Sequence, residues 1–273
     1  MNKPKCKAAT LGPEYSYSDI LTRKEFPDCE IILCNSIPEI FEKVAGKEVS
    51  KGIAPIENMM HGTVRESLIS LWKYKIKINK ELDIPIRLCL ASKKANFKKI
   101  ISKMEALSQC SQAISSYKGK VTIEETSSTS KAMEIASKDE EYAAIGSKEA
   151  AASQGLNIIN ENVADNLGNV TRFVEISLND GIAIGKNVRT SMMIVPKGDR
   201  AGLLHEILSI FKEKNINLTK IESIPSGKKL GEYEFFIEIE GNQSDDEIKD
   251  VLTKLGKIHE VYCFGSYEIK RVG

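Results

Sequence analysis

Histidine is scarce in this sequence, three among 273 residues, and tryptophan occurs once. None of the six cysteines, Cys6, Cys29, Cys34, Cys89, Cys110 and Cys263, falls in a Cys-x-x-Cys pair, and no histidine-rich segment accompanies them. That scatter argues against a zinc site and for reduced thiols in a cytoplasmic protein. Charge of one sign is missing too: 39 Lys and Arg face 38 Asp and Glu, a formal net charge of +1. With no basic block carrying interleaved aromatics, no nucleic-acid partner is expected. No apolar run reaches membrane-spanning length, and Met1-Asn2-Lys3-Pro4-Lys5 offers no apolar signal region, so no membrane association is expected.

What is present suffices for two domains with a core in each. Up to residue 180, strand-like and helix-like stretches alternate as in an α/β protein. Residues 5–11 read as a first strand closed by Gly12-Pro13, followed by Glu14, Tyr15, Ser16, Tyr17 and Ser18. A strand over 30–34 runs into Ser36 and Glu39, spaced as a capping box, and the next helix should bury Ile40, Phe41 and Val44. Residues 52–58 form an apolar strand ending on Glu57 and Asn58. Ligands of open α/β sheets bind beyond the carboxyl ends of strands, so both are placed to meet one.

A strand over 84–91 crosses into a second lobe. There the spacing of Leu107, Cys110 and Ile114 predicts a helix, and residues 120–124 and 142–146 predict strands. The polar cluster Thr126-Ser127-Ser128-Thr129-Ser130 predicts the N-cap of a helix, whose exposed N–H groups also suit an anion. The region closes on Gly168-Asn169-Val170-Thr171-Arg172-Phe173-Val174. In an extended strand Thr171 and Phe173 point one way and Arg172 the other.

Residues 179–186 read as a linker. Beyond it the order is strand (188–195), helix buried through Leu204, Ile207, Leu208 and Phe211, and strand (217–224). A strictly alternating strand follows, with Tyr233, Phe235, Ile237 and Ile239 opposite Glu232, Glu234 and Glu238. Ser244 and Glu247 then mark a capping box before a helix stopped by Gly256, and a last strand ends the series. This βαββαβ order is a ferredoxin-like sandwich.

Read together, these stretches resemble the prephenate dehydratase family across nearly the whole chain. Gly12-Pro13 with its hydroxyl residues is similar to the family's Gly-Pro-x-Gly-Thr. Pro55-Ile56-Glu57-Asn58 with Gly62 and Val64 is similar to Pro-Ile-Glu-Asn-Ser-x-x-Gly-x-Val. Ser102 with Ala106-Leu107-Ser108-Gln109-Cys110 resembles Ser-His-Pro-x-Ala-Leu-x-Gln-Cys, Ser128-Thr129 resembles Ser-Thr-Ala, and Asn169 to Phe173 matches Asn-x-Thr-Arg-Phe unchanged. The last segment resembles an ACT domain, an amino-acid-sensing module: Gly202-Leu203-Leu204 stands at its Gly-Ala-Leu, and Glu222-Ser223 with Pro225 at its Glu-Ser-Arg-Pro.

The resemblance implies two periplasmic-binding-protein-like α/β lobes, 1–83 with 161–180 and 84–160, closing on a cleft, plus an ACT domain over 188–271. It implies conversion of prephenate to phenylpyruvate in phenylalanine biosynthesis, without metal or cofactor, and an oligomer, dimer or tetramer, through the ACT sheet. Thr171 would meet the leaving hydroxyl as donor or relay, and Arg172 would anchor a carboxylate through its planar fork. Asn58, Gln109 and Ser102 would orient the substrate, with Ser16, Ser128, Thr129, Asn169 and Phe173 around it, and Glu57 would be an organiser or the missing acid. Gly202, Leu203, Leu204, Asn217, Glu222 and Ser223 would receive an amino-acid effector, phenylalanine by the resemblance, against a neighbouring subunit's Glu222-Ser223-Ile224. His61, in a Met-Met-His-Gly turn, reads as an exposed loop residue. Tyr15, Ser16, Met59, Leu88 and Lys103-Met104 depart from the family pattern, which predicts a bulkier, less polar cleft, and Ala201, Leu203 and Ile224 depart from it in the sensor, where the bulk of Leu203 predicts a weaker or altered phenylalanine response.

Overall fold

The computed structural model describes residues 6–181, 183, 185, 187–227 and 229–272. Lys5 of the expected first strand and Ile182, Ile184 and Lys186 of the expected linker lie outside the described residues. The chain begins with β1 (Cys6–Leu11), α1 (Tyr17–Glu25), β2 (Cys29–Cys34), α2 (Ile37–Ala45), β3 (Lys51–Asn58), the short β4 (Gly62–Thr63), α3 (Arg65–Tyr74) and β5 (Lys77–Pro85). Ser36 starts α2 as expected, accepting from the Glu39 N–H at 3.4 Å, while the Glu39 carboxylate turns back to the Asn35 N–H at 2.8 Å. Two backbone N–H groups are thereby satisfied at one helix start.

A second group of elements follows: β6 (Cys89–Ser92), β7 (Lys99–Ser102), α4 (Met104–Ser108), α5 (Ser111–Ser115), β8 (Thr122–Glu125), α6 (Thr129–Lys138), β9 (Tyr142–Gly146), α7 (Lys148–Ser153) and β10 (Asn157–Asn160). The expected single strand over 84–91 is in fact the end of β5 and the start of β6, separated by a crossing at 86–88. The expected helix through Leu107, Cys110 and Ile114 is broken into α4 and α5 at Gln109-Cys110. The chain then returns to the first lobe as β11 (Val170–Ser177) and goes on to β12 (Val188–Val195), α8 (Leu203–Glu213), β13 (Leu218–Pro225), β14 (Tyr233–Glu240), α9 (Asp246–Ile258) and β15 (Glu260–Arg271). Asp245, not Ser244, is the residue before α9, its side chain makes no cap, and the helix runs through Gly256.

Two sheets carry the molecule. β6 to β10 form a five-stranded sheet in the order β10-β6-β9-β7-β8, the second lobe. The remaining strands form one continuous sheet in the order β13-β14-β12-β15-β5-β11-β3-β1-β2, with β4 on β3. The joint between first lobe and ACT segment is β15. Up to Glu268 it pairs antiparallel with β12, and from Glu268 to Arg271 it pairs parallel with β5. Gly265 allows this passage: its φ is +129°, and a Cβ there would lie 2.8 Å from the Ile78 carbonyl oxygen.

The core follows the same division. Ile194, Ile207, Phe211, Ile237, Val251 and Leu255 pack the ACT sheet on its own helices. The opposite face of that sheet contributes Met193, Ile224, Phe236, Phe264 and Tyr267 to the core that holds Leu71, Ile78, Val174 and Ile176 of the first lobe. The carboxylate-bearing face of β14 is therefore covered, with Glu234 at 5% and Glu238 at 0% exposure. Leu203 rather than Leu204 faces inward from α8.

The expectation of six reduced thiols is corrected. Parallel pairing of β1 with β2 sets Cys6 opposite Cys29, their Cα atoms 4.7 Å apart, and the two sulfurs are bonded. Cys34, Cys89, Cys110 and Cys263 are free. Among the described residues no helix is long and apolar enough to cross a membrane.

Candidate active site

The carboxyl ends of parallel strands from both lobes point into one opening. Between them lies a cavity of about 890 Å³, walled by Gly12, Pro13, Glu14 and Tyr15 after β1, Cys34 and Asn35 at the end of β2, Lys103 after β7, Ser127 to Lys131 after β8, and Ala150 and Ser153 on α7 after β9. This is where open α/β sheets place ligands. Tyr15, standing where the resembling family has glycine, is held at φ 59°, a left-handed conformation that side chains with a Cβ adopt reluctantly. Its N–H donates to Asp19 at 2.7 Å, which fixes the loop against α1.

At the carboxyl end of β3, which runs parallel to β1, a chain of neutral hydrogen bonds joins four of the expected site residues, none of which is in the wall of this cavity. β3 and β11 are antiparallel, with Asn58 opposite Thr171. The Asn58 Nδ2 donates to Thr171 Oγ1 at 2.8 Å and to Asn169 Oδ1 at 3.1 Å, and Asn169 Nδ2 donates to Gln109 Oε1 at 3.0 Å. Asn58 Oδ1 is occupied by the N–H groups of Met60 and His61, at 2.9 and 3.1 Å, so the turn to Gly62, itself at φ +77°, is tied to the same side chain. Gln109 comes from the second lobe. Its carbonyl accepts the Asp165 N–H at 2.6 Å, and the Asp165 carboxylate caps the start of α5 through Ser111 and Gln112. Helix α4 links the two parts of the site: Lys103 at its start lines the cavity, and Gln109 just past its end closes the amide chain.

His61 is exposed in a turn, as expected, and it also joins this group: its Nε2 lies 3.0 Å from Gln109 Nε2. The contact crosses between lobes, and nothing in the local Met-Met-His-Gly sequence signals it. Lys103 is the second residue the resemblance noted only as a departure. It is paired with Glu105 at 3.0 Å, and both side chains are nearly half exposed. Opposite it in the cavity wall, the start of α6 presents Ser128, which accepts from the Lys131 N–H at 3.0 Å, and Ser130, a buried hydroxyl without a hydrogen-bond partner.

The remaining expected residues are placed elsewhere. Arg172 is the main correction. The alternation of β11 turns it away from Thr171, toward the junction with the ACT sheet, where it is 16% exposed and held by Glu57, Glu81 at 2.8 Å and Glu238 at 2.9 Å. Burial opposes the charge, but Glu238 and Glu81 more than offset it and raise the guanidinium's pKa. A guanidinium whose fork already meets three carboxylates is not presented to a substrate in the cleft. Glu57 lies on that same side. Burial would raise its carboxyl, yet the hydrogen bond from Lys220 and the charge of Arg172 prevail and hold it below the usual glutamate range, so at neutral pH it is a carboxylate and not an acid.

Ser102 is fully buried and donates to the Ile145 carbonyl at 2.6 Å, a tie within the second lobe's sheet. The Ser16 hydroxyl serves as N-cap of α1 and donates to the Leu11 carbonyl at 3.1 Å. Phe173 belongs to a core with Ala8, Leu21 and Ile53. Leu88 lies in the second lobe's core and does not border the cleft, whereas Met59 is 68% exposed. In the ACT segment, Leu203 lines a small cavity of about 110 Å³ with Asp199, Glu232 and Phe235, and Gly202, at φ +84°, starts α8. Asn217 donates to Glu240 at 3.1 Å. Glu222 and Ser223 face this chain's own first lobe, Glu222 through Thr63 and the Ser223 carbonyl through Arg65 at 3.1 Å, and Ile224 is buried in the shared core.

A two-lobed, periplasmic-binding-protein-like α/β unit with its polar residues at the strand ends, joined to a ferredoxin-like ACT module, defines a class of ligand-responsive enzymes. Comparison with known proteins narrows the class. Residues 8–180 match the family model of prephenate dehydratase, and residues 197–257 match that of the ACT domain. The chain is 39% identical over 89% of its length to the prephenate dehydratase of Methanocaldococcus jannaschii, covering 90% of it. It is 35% identical over 96% of its length to a bifunctional chorismate mutase/prephenate dehydratase of Aquifex aeolicus, covering 74% of that protein. Among solved structures, prephenate dehydratase from Arthrobacter aurescens in complex with L-Phe superposes with a TM-score of 0.87 at 29% identity, over 96% of this chain and 90% of that one. The chain belongs to the prephenate dehydratase family and carries an ACT domain.

Proposed function

We propose that this protein dehydrates and decarboxylates prephenate to phenylpyruvate, in phenylalanine biosynthesis, in the cleft between its lobes. The observation that carries the reading is the Thr171–Asn58–Asn169–Gln109 series of hydrogen bonds, in a chain whose relatives are named prephenate dehydratases. Prephenate has two carboxylates and an allylic hydroxyl on a cyclohexadiene ring. The C1–carboxylate bond breaks to release CO2, its electron pair enters the ring, and the C4–oxygen bond breaks as one proton joins the oxygen to form water. Aromatisation drives the reaction, so the protein has to hold the charges, orient the leaving oxygen and support its protonation.

Because Asn58 donates to Thr171 Oγ1, the threonine's own hydrogen is directed onward, toward the departing oxygen. A threonine is too weak an acid to surrender that proton outright, so Thr171 acts as hydrogen-bond donor or relay. Gln109 and Asn169 fix Asn58, and through it Thr171, without adding charge. With Arg172 engaged, a substrate carboxylate falls to Lys103 and to the start of α6, where the hydroxyl of Ser130, the free N–H groups and the helix dipole favour an anion. Ser128 and Thr129 shape that end of the cleft.

In this reading residues 1–180 are the catalytic unit and 188–271 the sensor for an amino acid, with phenylalanine supported by the Arthrobacter complex. β13 is an edge strand of the large sheet, and the exposed Ile221 lies on it; edge pairing of two such strands makes a dimer or tetramer through the ACT domain. Incubation of the purified chain with prephenate, followed by product identification, tests the proposal. Phenylpyruvate is expected. A product that retains a non-aromatic ring, or binding of phenylalanine with no turnover of prephenate, would overturn it.

A further inference from the structure

The side of the β3–β11 pair that faces away from the cleft holds a lattice of six charges drawn equally from both domains. The first lobe supplies two carboxylates and one guanidinium, Glu57, Glu81 and Arg172; the ACT sheet supplies one carboxylate and two cations, Glu238, Arg189 and Lys220. Three ion pairs cross between the domains, Arg172 with Glu238, Arg189 with Glu81 and Lys220 with Glu57, while Lys220 also meets Glu222 of its own strand at 3.8 Å. The groups are desolvated: Glu81 is 1% exposed, Glu238 0% and Lys220 6%. An uncompensated charge at such depth is strongly unfavourable, so the docked arrangement is held firmly.

The position of this lattice is what gives it meaning for the site. Glu57 and Arg172 are register partners, and the next pair along the same ladder is Asn58 with Thr171. Glu57 is gripped between Arg172 and Lys220, whose Nζ lies 2.7 Å from Glu57 Oε1 and 2.7 Å from Thr63 Oγ1. Lys220 thus holds both strands of the β3–β4 hairpin, whose turn is tied to Asn58. Glu238 takes the far end of Arg172 through both carboxylate oxygens, at 2.9 and 3.1 Å. With successive side chains pointing to opposite faces, the ionic grip on one face sets the backbone from which the cleft-side pair projects.

We propose that Lys220 and Glu238 of the ACT domain are positioning residues for the Asn58–Thr171 pair, so that the sensor domain completes the catalytic geometry. The inference rests on the dehydratase reading above, and its test has one readout that does not. In the full-length chain, Lys220→Met should lower kcat for prephenate three- to thirtyfold with KM within about threefold, the span of couplings of this kind. Lys220→Arg should restore most of the loss. In the same variant, amide hydrogen exchange of segments 52–58 and 170–175 should quicken while segment 142–146 of the second lobe keeps the wild-type rate. Lys254→Met, which removes a surface ion pair with Glu213, serves as the control and should leave all of these values unchanged. If Lys220→Met fails to fold, Lys220→Gln, uncharged but able to donate to Glu57 and Thr63, should show the same signs at smaller size. Wild-type kinetics with unchanged exchange, or a fall in kcat without faster exchange in those two segments, overturns the inference. Absence of prephenate turnover in the wild type would instead defeat the dehydratase reading, and the exchange measurement alone would then decide whether Lys220 sets these strands.

Discussion

The two faces of the β3–β11 pair are built from opposite kinds of polar chemistry. Toward the cleft stand Asn58 and Thr171, joined to Asn169 and Gln109 by neutral hydrogen bonds. One residue away, toward the ACT sheet, stand Glu57 and Arg172 in a desolvated ionic lattice. The neutral face can orient a dianion without competing for its charge, and it remains satisfied when the cleft is empty. The ionic face tolerates no vacancy, because removing one partner strands another charge away from water. Recognition of charge and storage of charge are thus separated by the pleat of a single strand pair.

The sharpest way to break this comparison is Thr171→Ala. On the cleft face it removes the donor to the leaving oxygen, and kcat should fall by about two to four orders of magnitude with KM near wild type; stopped or steady-state assays with prephenate check it, and full activity would remove Thr171 from the mechanism. The matching change on the other face, Arg172→Met, should act on stability first. It strands Glu238 and leaves Glu81 to Arg189 alone, at a loss of about 3–5 kcal/mol in denaturant unfolding. A raised KM with unchanged stability would show instead that Arg172 meets the substrate.

A smaller effect is expected from Lys103→Met, which should raise KM for prephenate about tenfold, the loss of one charge-assisted hydrogen bond, while kcat stays within about threefold. Smallest is the pH response of the ionic face. The folded pKa of Glu57 is depressed, so its stabilisation is fully present above the ordinary glutamate value of about 4.3 and is lost as pH falls through the lower folded value. Melting temperatures from neutral pH down to pH 3 should therefore drop less steeply for Glu57→Gln than for wild type, starting from a lower value at neutral pH.

Much of the fold could be read ahead because its signals are local. Ser36 and Ser128 sit at helix starts where their spacing placed them, and the motifs around Asn58, Gln109 and Thr171 proved to be neighbours across separations of 60 residues and more. Where reading failed, the deciding partner was remote. The alternation of β14 placed Glu234 and Glu238 opposite its apolar face without saying what meets them, and that face is covered by the first lobe. Cys6 and Cys29 carry no pairing signal until β1 and β2 lie side by side. Ser102, expected by motif to orient the substrate, and Leu88, expected as a departure that alters the cleft, are both packed inside the second lobe.

Sequence by itself determined the alternation of elements, the caps at Ser36 and Ser128 and the family of this chain, since each is written in residue spacing over a few turns or strands. It also determined that Thr171 and Arg172 must face opposite ways, a consequence of the two-residue period of any strand. Only the tertiary structure decided which face meets the cleft and what waits on the other. Glu57, Glu81 and Glu238 are 115, 91 and 66 residues from Arg172 along the chain, and no local pattern can announce that a guanidinium is already occupied when its partners are assembled only by the closing of a sheet across two domains.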